Sequence, residues 1–121
     1  MGRIKRRNKV AYVAGPFRAK TDYERVQNIR AAEAVAYKLW VMGFTVICPH
    51  MNTANMEGLI SDEEILAGDM ELLKRSDFVV SILPFGDEKI MKSVGTQNEF
   101  RYADSINKPI YDNFNTINER E

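Results

Sequence analysis

Short apolar runs alternate with segments of helical periodicity along this chain, and the alternation limits the folds that it can adopt. The run Val10 to Ala14 ends at Gly15-Pro16 and is predicted to be a buried strand. Further strands are predicted over Phe44 to Cys48, Asp77 to Leu83 and Pro109 to Asp112. A predicted helix separates each strand from the next, which is typical of a parallel sheet with helices on both faces.

Three helices are predicted between these strands. One runs from Thr21 to a stop at Gly43, one from about Ser61 to Ser76, and one from Thr96 to about Asn107. The first helix repeats apolar residues at helical spacing, which predicts that Trp40 lies in the core rather than on a ligand platform. Its predicted inward residues are Val26, Ile29, Ala32, Ala36, Leu39 and Trp40.

The predicted fold is a single three-layer Rossmann-like (flavodoxin-like) α/β domain with a parallel sheet of four to five strands. Right-handed crossovers favour the strand order 2-1-3-4. Ligands of such sheets lie beyond the carboxyl ends of the strands, where the winding direction changes. That point lies between the first and third strands, so the loops 15–20 and 84–95 are predicted to border a cleft. The domain is expected to span residues 1–121, with a basic arm at 1–9 and a tail at 113–121.

Charge and cysteine content exclude several classes of function. The formal net charge is zero, so no global field favours nucleic acid. The first nine residues are nevertheless basic, which indicates either a flexible arm or, less expectedly, a nucleic-acid contact. The single cysteine, Cys48, cannot form an internal disulfide, and no apolar run is long enough for a signal peptide or a membrane helix. A reducing cytoplasm is therefore expected, and the lone Cys48 and His50 disfavour a protein metal site.

The stretch Ser93 to Glu99 places a carboxylate near the start of a predicted helix, and helix starts are natural anion and sugar sites. Glu99 shares a helix face with Tyr102, Ala103 and Ile106, so it is predicted to point inward. The other interpretation is a capping box with Thr96 as N-cap and Glu99 three residues later. The same spacing occurs at Thr21-x-x-Glu24 and Ser61-x-x-Glu64, and spacing alone does not decide between the two.

A second acid, Asp69, lies on the apolar stripe that Ile65, Leu72 and Leu73 define. Acids are rarely buried without a partner. Asp69 either accepts hydrogen bonds from a loop or an arginine, or it is one of two carboxylates that converge on a polar ligand. Paired acids in different environments are typical of glycosidic bond cleavage.

These residues resemble motifs of the nucleoside 2-deoxyribosyltransferase superfamily, and most closely its branch of 2′-deoxynucleoside 5′-monophosphate N-hydrolases and related phage-encoded proteins. The resemblance covers nearly the whole chain and rests on the order and spacing of four motifs. They are Ala11-Tyr12-Val13-Ala14-Gly15-Pro16-Phe17-Arg18, Asp69 with Leu72-Leu73 and Asp77-Phe78-Val79-Val80, Ser93-x-Gly95-Thr96-x-x-Glu99-x-x-x-Ala103, and Asn107-Lys108-Pro109-Ile110.

The resemblance implies catalytic roles for three residues. Glu99 would attack the sugar C1′ and form a glycosyl-enzyme intermediate, which water or an acceptor base would resolve. Asp69 would contact the nucleobase and help protonate it as it leaves, and Tyr12 would lie near the nucleophile and the sugar. No metal and no organic cofactor are implied.

The resemblance also implies substrate contacts. Ser93 stands where the transferases usually have an aspartate, which would repel a 5′-phosphate, whereas a hydroxyl can donate to it. Arg18 resembles the phosphate-binding arginine of the hydrolases. His50 would either border the base pocket or be an ordinary loop histidine. The remaining substrate-binding candidates are Gly15, Phe17, Gly95 and Thr96 in these motifs. The family often completes its site with a polar residue of a neighbouring subunit, for which the tail offers Asn113 or Asn115.

The expected function is hydrolysis of the base–sugar bond of a (deoxy)nucleoside 5′-monophosphate by an N-glycosidase with a glutamate nucleophile. The alternatives are a nucleoside 2-deoxyribosyltransferase and a module that binds or senses a nucleotide without turnover. The resemblance implies a homodimer or a larger homo-oligomer. Neither a membrane nor nucleic acid is an expected partner.

Overall fold

The core of the protein is an all-parallel sheet. The computed structural model describes residues 7–54, 56, 58–117 and 121, and within them four strands form this sheet in the order β2-β1-β3-β4. The strands are β1 (Val10–Ala14), β2 (Thr45–Ile47), β3 (Phe78–Ser81) and β4 (Ile110–Tyr111). β1 lies in the interior of the sheet, with Tyr12 opposite Ile47 on one side and Val79 on the other. The predicted fold class and strand order are confirmed.

Within the described residues five helices connect the strands, and one 3-10 turn follows β4. Two of them begin at the predicted N-caps, because the hydroxyls of Thr21 and Ser61 accept hydrogen bonds from the amides of Glu24 and Glu64 at 3.1 and 3.2 Å. Two short helices were not predicted, one at Pro49 and one inside the loop 84–95. The helices are α1 (Asp22–Val41), α2 (Pro49–Asn52), α3 (Asp62–Lys74), α4 (Glu88–Lys92) and α5 (Val94–Ser105), and the 3-10 turn is Phe114–Thr116.

Side chains that alternate along β1 contribute to two apolar clusters, one on each face of the sheet. Ala11 and Val13 pack with residues of α1, which covers one face. Tyr12 and Ala14 pack on the other face with residues of α3 and α5, including Leu73. The three layers therefore place Tyr12 beneath the two helices that carry the predicted acids.

The inward face of α1 is rotated relative to the predicted one. Ala32, Ala36 and Leu39 are buried as predicted, but Val26 and Trp40 are 39% and 42% exposed. The prediction of a buried Trp40 is wrong because Trp40 follows Leu39 directly and so points about 100° away from it around the helix. The guanidinium of Arg7 lies over the Trp40 ring, 5.1 Å from its centre, as a cation–π contact.

Helix α5 begins earlier than predicted, and this excludes the capping box at Glu99. Its N-cap is Ser93, whose hydroxyl accepts a hydrogen bond from the Thr96 amide at 3.2 Å. Thr96 is therefore inside the first turn rather than at the cap. Glu99 lies one turn further along and cannot reach back to the cap amide, so the interpretation of Glu99 as a capping residue is wrong.

Both chain ends fall partly outside the described residues. Residues 1–6 of the predicted basic arm and 118–120 of the predicted tail are not described. In the described part of the arm, Arg7 donates to the Phe44 carbonyl at 2.6 Å, and Lys9 lies 3.9 Å from the Glu121 carboxylate. No helix in the described part of the chain is both long and apolar enough to cross a bilayer.

Candidate active site

The centre of the candidate site is a hydrogen bond between Tyr12 and Glu99. The Tyr12 hydroxyl donates to Oε2 of Glu99 across 87 residues of sequence. Tyr12 is fully buried in β1, while Glu99 on α5 is partly buried above it. The structure thus brings together the residues that the resemblance assigned to the nucleophile and its neighbour.

Burial governs the protonation of this pair. Loss of solvent raises the pKa of Glu99 to about 8, and the Asp69 charge adds to the rise while the Tyr12 hydrogen bond opposes it. Burial and the Glu99 carboxylate raise the pKa of Tyr12 far above its usual range. Tyr12 therefore keeps its proton and acts as a fixed donor to Glu99.

Asp69 is the third member of the site. It is partly buried on α3, and burial raises the pKa of its carboxyl to about 6. Its helix packs against α5, and its charge acts on both Tyr12 and Glu99. Within the described residues Asp69 forms neither a hydrogen bond nor an ion pair, so a purely structural Asp69 held by a loop or an arginine has no support.

Two carboxyl groups whose pKa values differ, with a tyrosine donor, form an arrangement suited to acid–base and nucleophilic chemistry. One carboxyl can lose its proton while the other keeps one. No group of three or more His, Cys, Asp or Glu side chains that could hold a metal ion occurs in the parts of the chain that the structure describes.

The loop after β1 is packed tightly at Gly15. A Cβ atom on Gly15 would lie 2.4 Å from both Cδ1 and Cγ1 of Ile82, the residue after β3. Such a distance is far shorter than a carbon–carbon contact. Packing against Ile82 therefore requires glycine at this position and fixes where the loop leaves the sheet.

We expect Gly15→Ala to lower the free energy of unfolding by about 1–3 kcal/mol, because the new methyl group overpacks the contact with Ile82. Urea denaturation monitored by circular dichroism measures this change. The double variant Gly15→Ala/Ile82→Ala should lose less stability than the two single changes added together. Full additivity would show that the contact with Ile82 is not the cause.

His50 holds the same loop from the side of β2. Its Nε2 lies 2.9 Å from the Pro16 carbonyl, and its ring meets that of Phe17 edge to face at 5.7 Å. Burial lowers the pKa of His50, so the ring is neutral and Nε2 donates to the carbonyl. Among the described residues its buried Nδ1 has no hydrogen-bond partner. The sequence allowed His50 to be either a base-pocket residue or an ordinary loop residue. In the structure its contacts with Pro16 and Phe17 hold the loop that carries Phe17.

The start of α5 supplies hydroxyl groups near the nucleophile helix. The Ser93 and Thr96 hydroxyl oxygens lie 2.7 Å apart, and Thr96 is buried. If the Thr96 hydroxyl donates to Ser93, the Ser93 proton remains available to a ligand. Gly95 is exposed, and a side chain at this position would meet open space.

Arg18 and Asn113 contact partners outside the Tyr12–Glu99 pair. The Arg18 guanidinium is exposed and forms an ion pair at 2.6 Å with Asp62 at the start of α3. Sequence reasoning missed this partner, because it depends on how the loop after β1 approaches α3. The Asn113 side chain caps the 3-10 turn by accepting from the Asn115 amide at 2.8 Å. Phe114, the first residue of this turn, packs against the α1 face of the sheet, which is the face opposite Tyr12.

The chain has the fold of 2-deoxyribosyltransferases. It is similar to a 2-deoxyribosyltransferase from Bacillus psychrosaccharolyticus, with a TM-score of 0.57 and 25% identity over 84% of this chain and 69% of that chain. It is also similar in fold to a 2-desoxiribosyltransferase from Leishmania mexicana, with a TM-score of 0.60 and 18% identity over 84% of this chain and 61% of that one. The sequence matches no protein-family model and no curated protein. The likeness supports an enzyme of the glycosidase or transferase kind.

Proposed function

We propose that this protein hydrolyses the base–sugar bond of a (deoxy)nucleoside 5′-monophosphate, with Glu99 as nucleophile. The observation that carries the proposal is the hydrogen bond from Tyr12 to Glu99 beside the second acid, Asp69. A fold shared with a 2-deoxyribosyltransferase supports it, because transfer and hydrolysis begin with cleavage of the same bond.

In the first step, the Glu99 carboxylate attacks C1′ of the sugar. The bond from C1′ to the base nitrogen breaks, its electron pair stays with the base, and the Asp69 carboxyl donates a proton to the leaving base. Tyr12 keeps one Glu99 oxygen in place, which leaves the other free to form the ester bond. The product of this step is a free base and a glycosyl ester on Glu99.

In the second step, water attacks C1′ and gives its proton to the Asp69 carboxylate. The ester bond to Glu99 breaks, and its electron pair returns to the Glu99 carboxylate. The sugar phosphate leaves, and both acids regain the protonation states with which the reaction began. If a second nucleobase took the place of water, the same cleft would perform glycosyl transfer.

The assignment of a 5′-monophosphate rests on Arg18 and Ser93. Ser93 offers a hydroxyl and no negative charge at the start of α5, where partial positive charge favours an anion. The Arg18–Asp62 pair is exposed on both sides, and such pairs contribute only about 0–1 kcal/mol. A phosphate dianion can therefore displace Asp62 and bind Arg18 through two oxygens.

The test is incubation of the protein with matched nucleosides and 5′-monophosphates, followed by chromatography for the free base. Base release in water alone supports the hydrolase. Release that requires an added acceptor base identifies a transferase instead. Nucleotide binding without any base release would identify a binding module and overturn the proposal.

We expect Arg18→Ala to lower kcat/KM for the 5′-monophosphate about ten- to a hundredfold while changing kcat/KM for the nucleoside much less, because a charge-assisted contact of roughly 1.5–3 kcal/mol is lost. Ser93→Asp should also lower kcat/KM for the 5′-monophosphate, since the new carboxylate repels the phosphate. The matched control is Arg75→Ala, which removes another exposed arginine that is ion-paired, with Glu71 at 2.7 Å. A wild-type preference for the unphosphorylated nucleoside would contradict the assignment.

A further inference from the structure

The loop that follows β1 carries two of the proposed substrate contacts, Phe17 and Arg18, and these residues belong to no helix or strand. The position of the loop therefore depends on side chains of the elements around it. Ile82 and His50 hold the two residues that precede Phe17. A third contact, which reaches the backbone of Phe17 itself, comes from α1.

Asn28 of α1 makes this contact. Its side-chain Nδ2 donates to the Phe17 carbonyl at 3.3 Å, across 11 residues of sequence. Because the partner is a carbonyl, only the nitrogen of the Asn28 amide can form the bond. The accepting carbonyl belongs to the planar peptide unit that joins Phe17 to Arg18. A single hydrogen bond from Asn28 therefore orients the backbone of both residues.

The place of Asn28 within α1 indicates a role other than the stability of the helix. Six residues of α1 precede it, so it lies beyond the cap, where asparagine is a poorer helix former than alanine or glutamine. Its side chain bonds to a distant loop rather than to the backbone of its own helix. α1 covers the face of the sheet opposite Tyr12, so Asn28 acts through the loop and not on the sugar.

The bond from Asn28 differs in kind from the ion pair at the next residue. Arg18 pairs with Asp62, and both of these side chains are largely exposed, so a phosphate can take the place of Asp62. The bond from Asn28 is partly buried and holds backbone. The loop is thus fixed at the Phe17 carbonyl, while the Arg18 side chain beyond it can exchange partners.

We propose that Asn28 is a positioning residue, which fixes the peptide unit between Phe17 and Arg18 and so presents both side chains to the substrate. The proposal rests on the proposed function for the identity of the ligand, a nucleoside 5′-monophosphate. Without the bond the loop samples other positions, and the apparent affinity for the nucleotide falls with the fraction of molecules whose loop is in the binding position.

The test is the affinity of Asn28→Ala and Asn28→Asp for a panel of deoxynucleoside 5′-monophosphates, measured by isothermal titration calorimetry. Both variants carry Glu99→Gln so that no substrate is cleaved. Each should raise the dissociation constant about three- to tenfold over Glu99→Gln alone, because one neutral hydrogen bond is lost. The matched control is Gln27→Glu, the same amide-to-acid change at the adjacent exposed residue, which should leave the constant unchanged.

Two further measurements separate a positioning role from a merely structural one. In the Arg18→Ala variant, Asn28→Ala should raise the dissociation constant much less, since the contact that the bond orients is already lost. Hydrogen exchange followed by mass spectrometry needs no ligand. The amides of residues 17–20 should exchange faster in Asn28→Ala, and those of β1 and β3 should not change.

An unchanged dissociation constant, equal effects of Asn28→Ala with and without Arg18, or unchanged exchange of the loop would each overturn the proposal. Nucleotide binding without base release in the wild type would overturn the glycosidase and not the role of Asn28. Base release by the wild type with an Asn28→Ala variant of unchanged kcat/KM would do the reverse. The absence of any nucleotide binding would overturn both.

Discussion

Glu99→Gln should abolish base release while leaving the fold intact. Glutamine keeps the shape of the side chain and can still accept the hydrogen bond from Tyr12, but its amide cannot form the glycosyl ester. Loss of a nucleophile should lower kcat on the order of 10³-fold or more. Turnover and thermal unfolding measured on the same preparation separate a catalytic loss from a structural one.

The pH dependence of stability gives a second signature of Glu99. Its pKa in the folded protein is about 8, against an ordinary value of 4.5, so the fold disfavours the ionised carboxyl. The stability associated with the protonated form is fully present below pH 4.5 and is lost as the pH rises through 8. Glu99→Gln cannot ionise, so its melting temperature relative to wild type should be higher at pH 9 than at pH 5.

The matched control for this substitution is Glu64→Gln, an exposed change in the first turn of α3. It should leave turnover unchanged at every pH. Retained base release in Glu99→Gln would show that Glu99 is not the nucleophile. Among the described carboxyl groups, no other accepts a hydrogen bond from the Tyr12 hydroxyl.

Asp69→Asn should have the second-largest effect, a loss of about 10²- to 10⁴-fold in kcat, because an amide cannot donate a proton to the leaving base. For a substrate whose base leaves without protonation, Asp69→Asn should lower kcat much less, since that reaction does not need the acid. Comparing a natural base with a base analogue of low pKa, in wild type and in the variant, measures this difference.

The wild-type rate should follow a bell-shaped pH profile with limbs near 6 and 8, since those are the pKa values of Asp69 and Glu99. Between them the two carboxyls share one proton, which lies mostly on Glu99, the group of higher pKa. The reactive form, with Glu99 ionised and Asp69 protonated, is the minor one. In Asp69→Asn the limb at high pH should disappear. One limb should remain, on which the rate rises with pH as Glu99 ionises, and it should lie below pH 8 because the Asp69 charge no longer raises the pKa of Glu99.

Asp104→Asn on α5 is the control for Asp69→Asn, because Asp104 is an exposed acid and its loss should leave the profile unchanged. If Asp69→Asn lowered the melting temperature and spared both turnover and the profile, Asp69 would be a structural residue.

The sheet could be predicted because its strands are continuous apolar runs. Val10–Ala14 was predicted with its observed bounds, and the order of the strands followed from right-handed crossovers. The start of α5 could not be predicted reliably, because Ser93 and Thr96 are both acceptable N-caps and each is followed three residues later by a polar side chain. The buried face of α1 was ambiguous for a similar reason, since this helix carries two apolar stripes and either could face the sheet.

The candidate site was harder to predict than the sheet. Tyr12 lies in an apolar run, where periodicity gives no sign that its hydroxyl has a partner on α5. The contact with Glu99 follows from the position of β1 and the placement of α5 over it, and only the family resemblance indicated it. The Arg18–Asp62 pair and the contact of His50 with Pro16 depend on loop conformation, which no local pattern encodes.

The distance along the chain between Tyr12 and Glu99 links activity to the order of synthesis. β1 emerges early from a ribosome that adds about 5–20 residues per second, yet the residue that Tyr12 must bind is made 87 positions later. Every nascent fragment that ends between residues 12 and 98 has the tyrosine and lacks the carboxyl. The reactive pair of the proposed glycosidase therefore forms only when the sheet and α5 are both in place, and the incomplete chain is expected to be inactive.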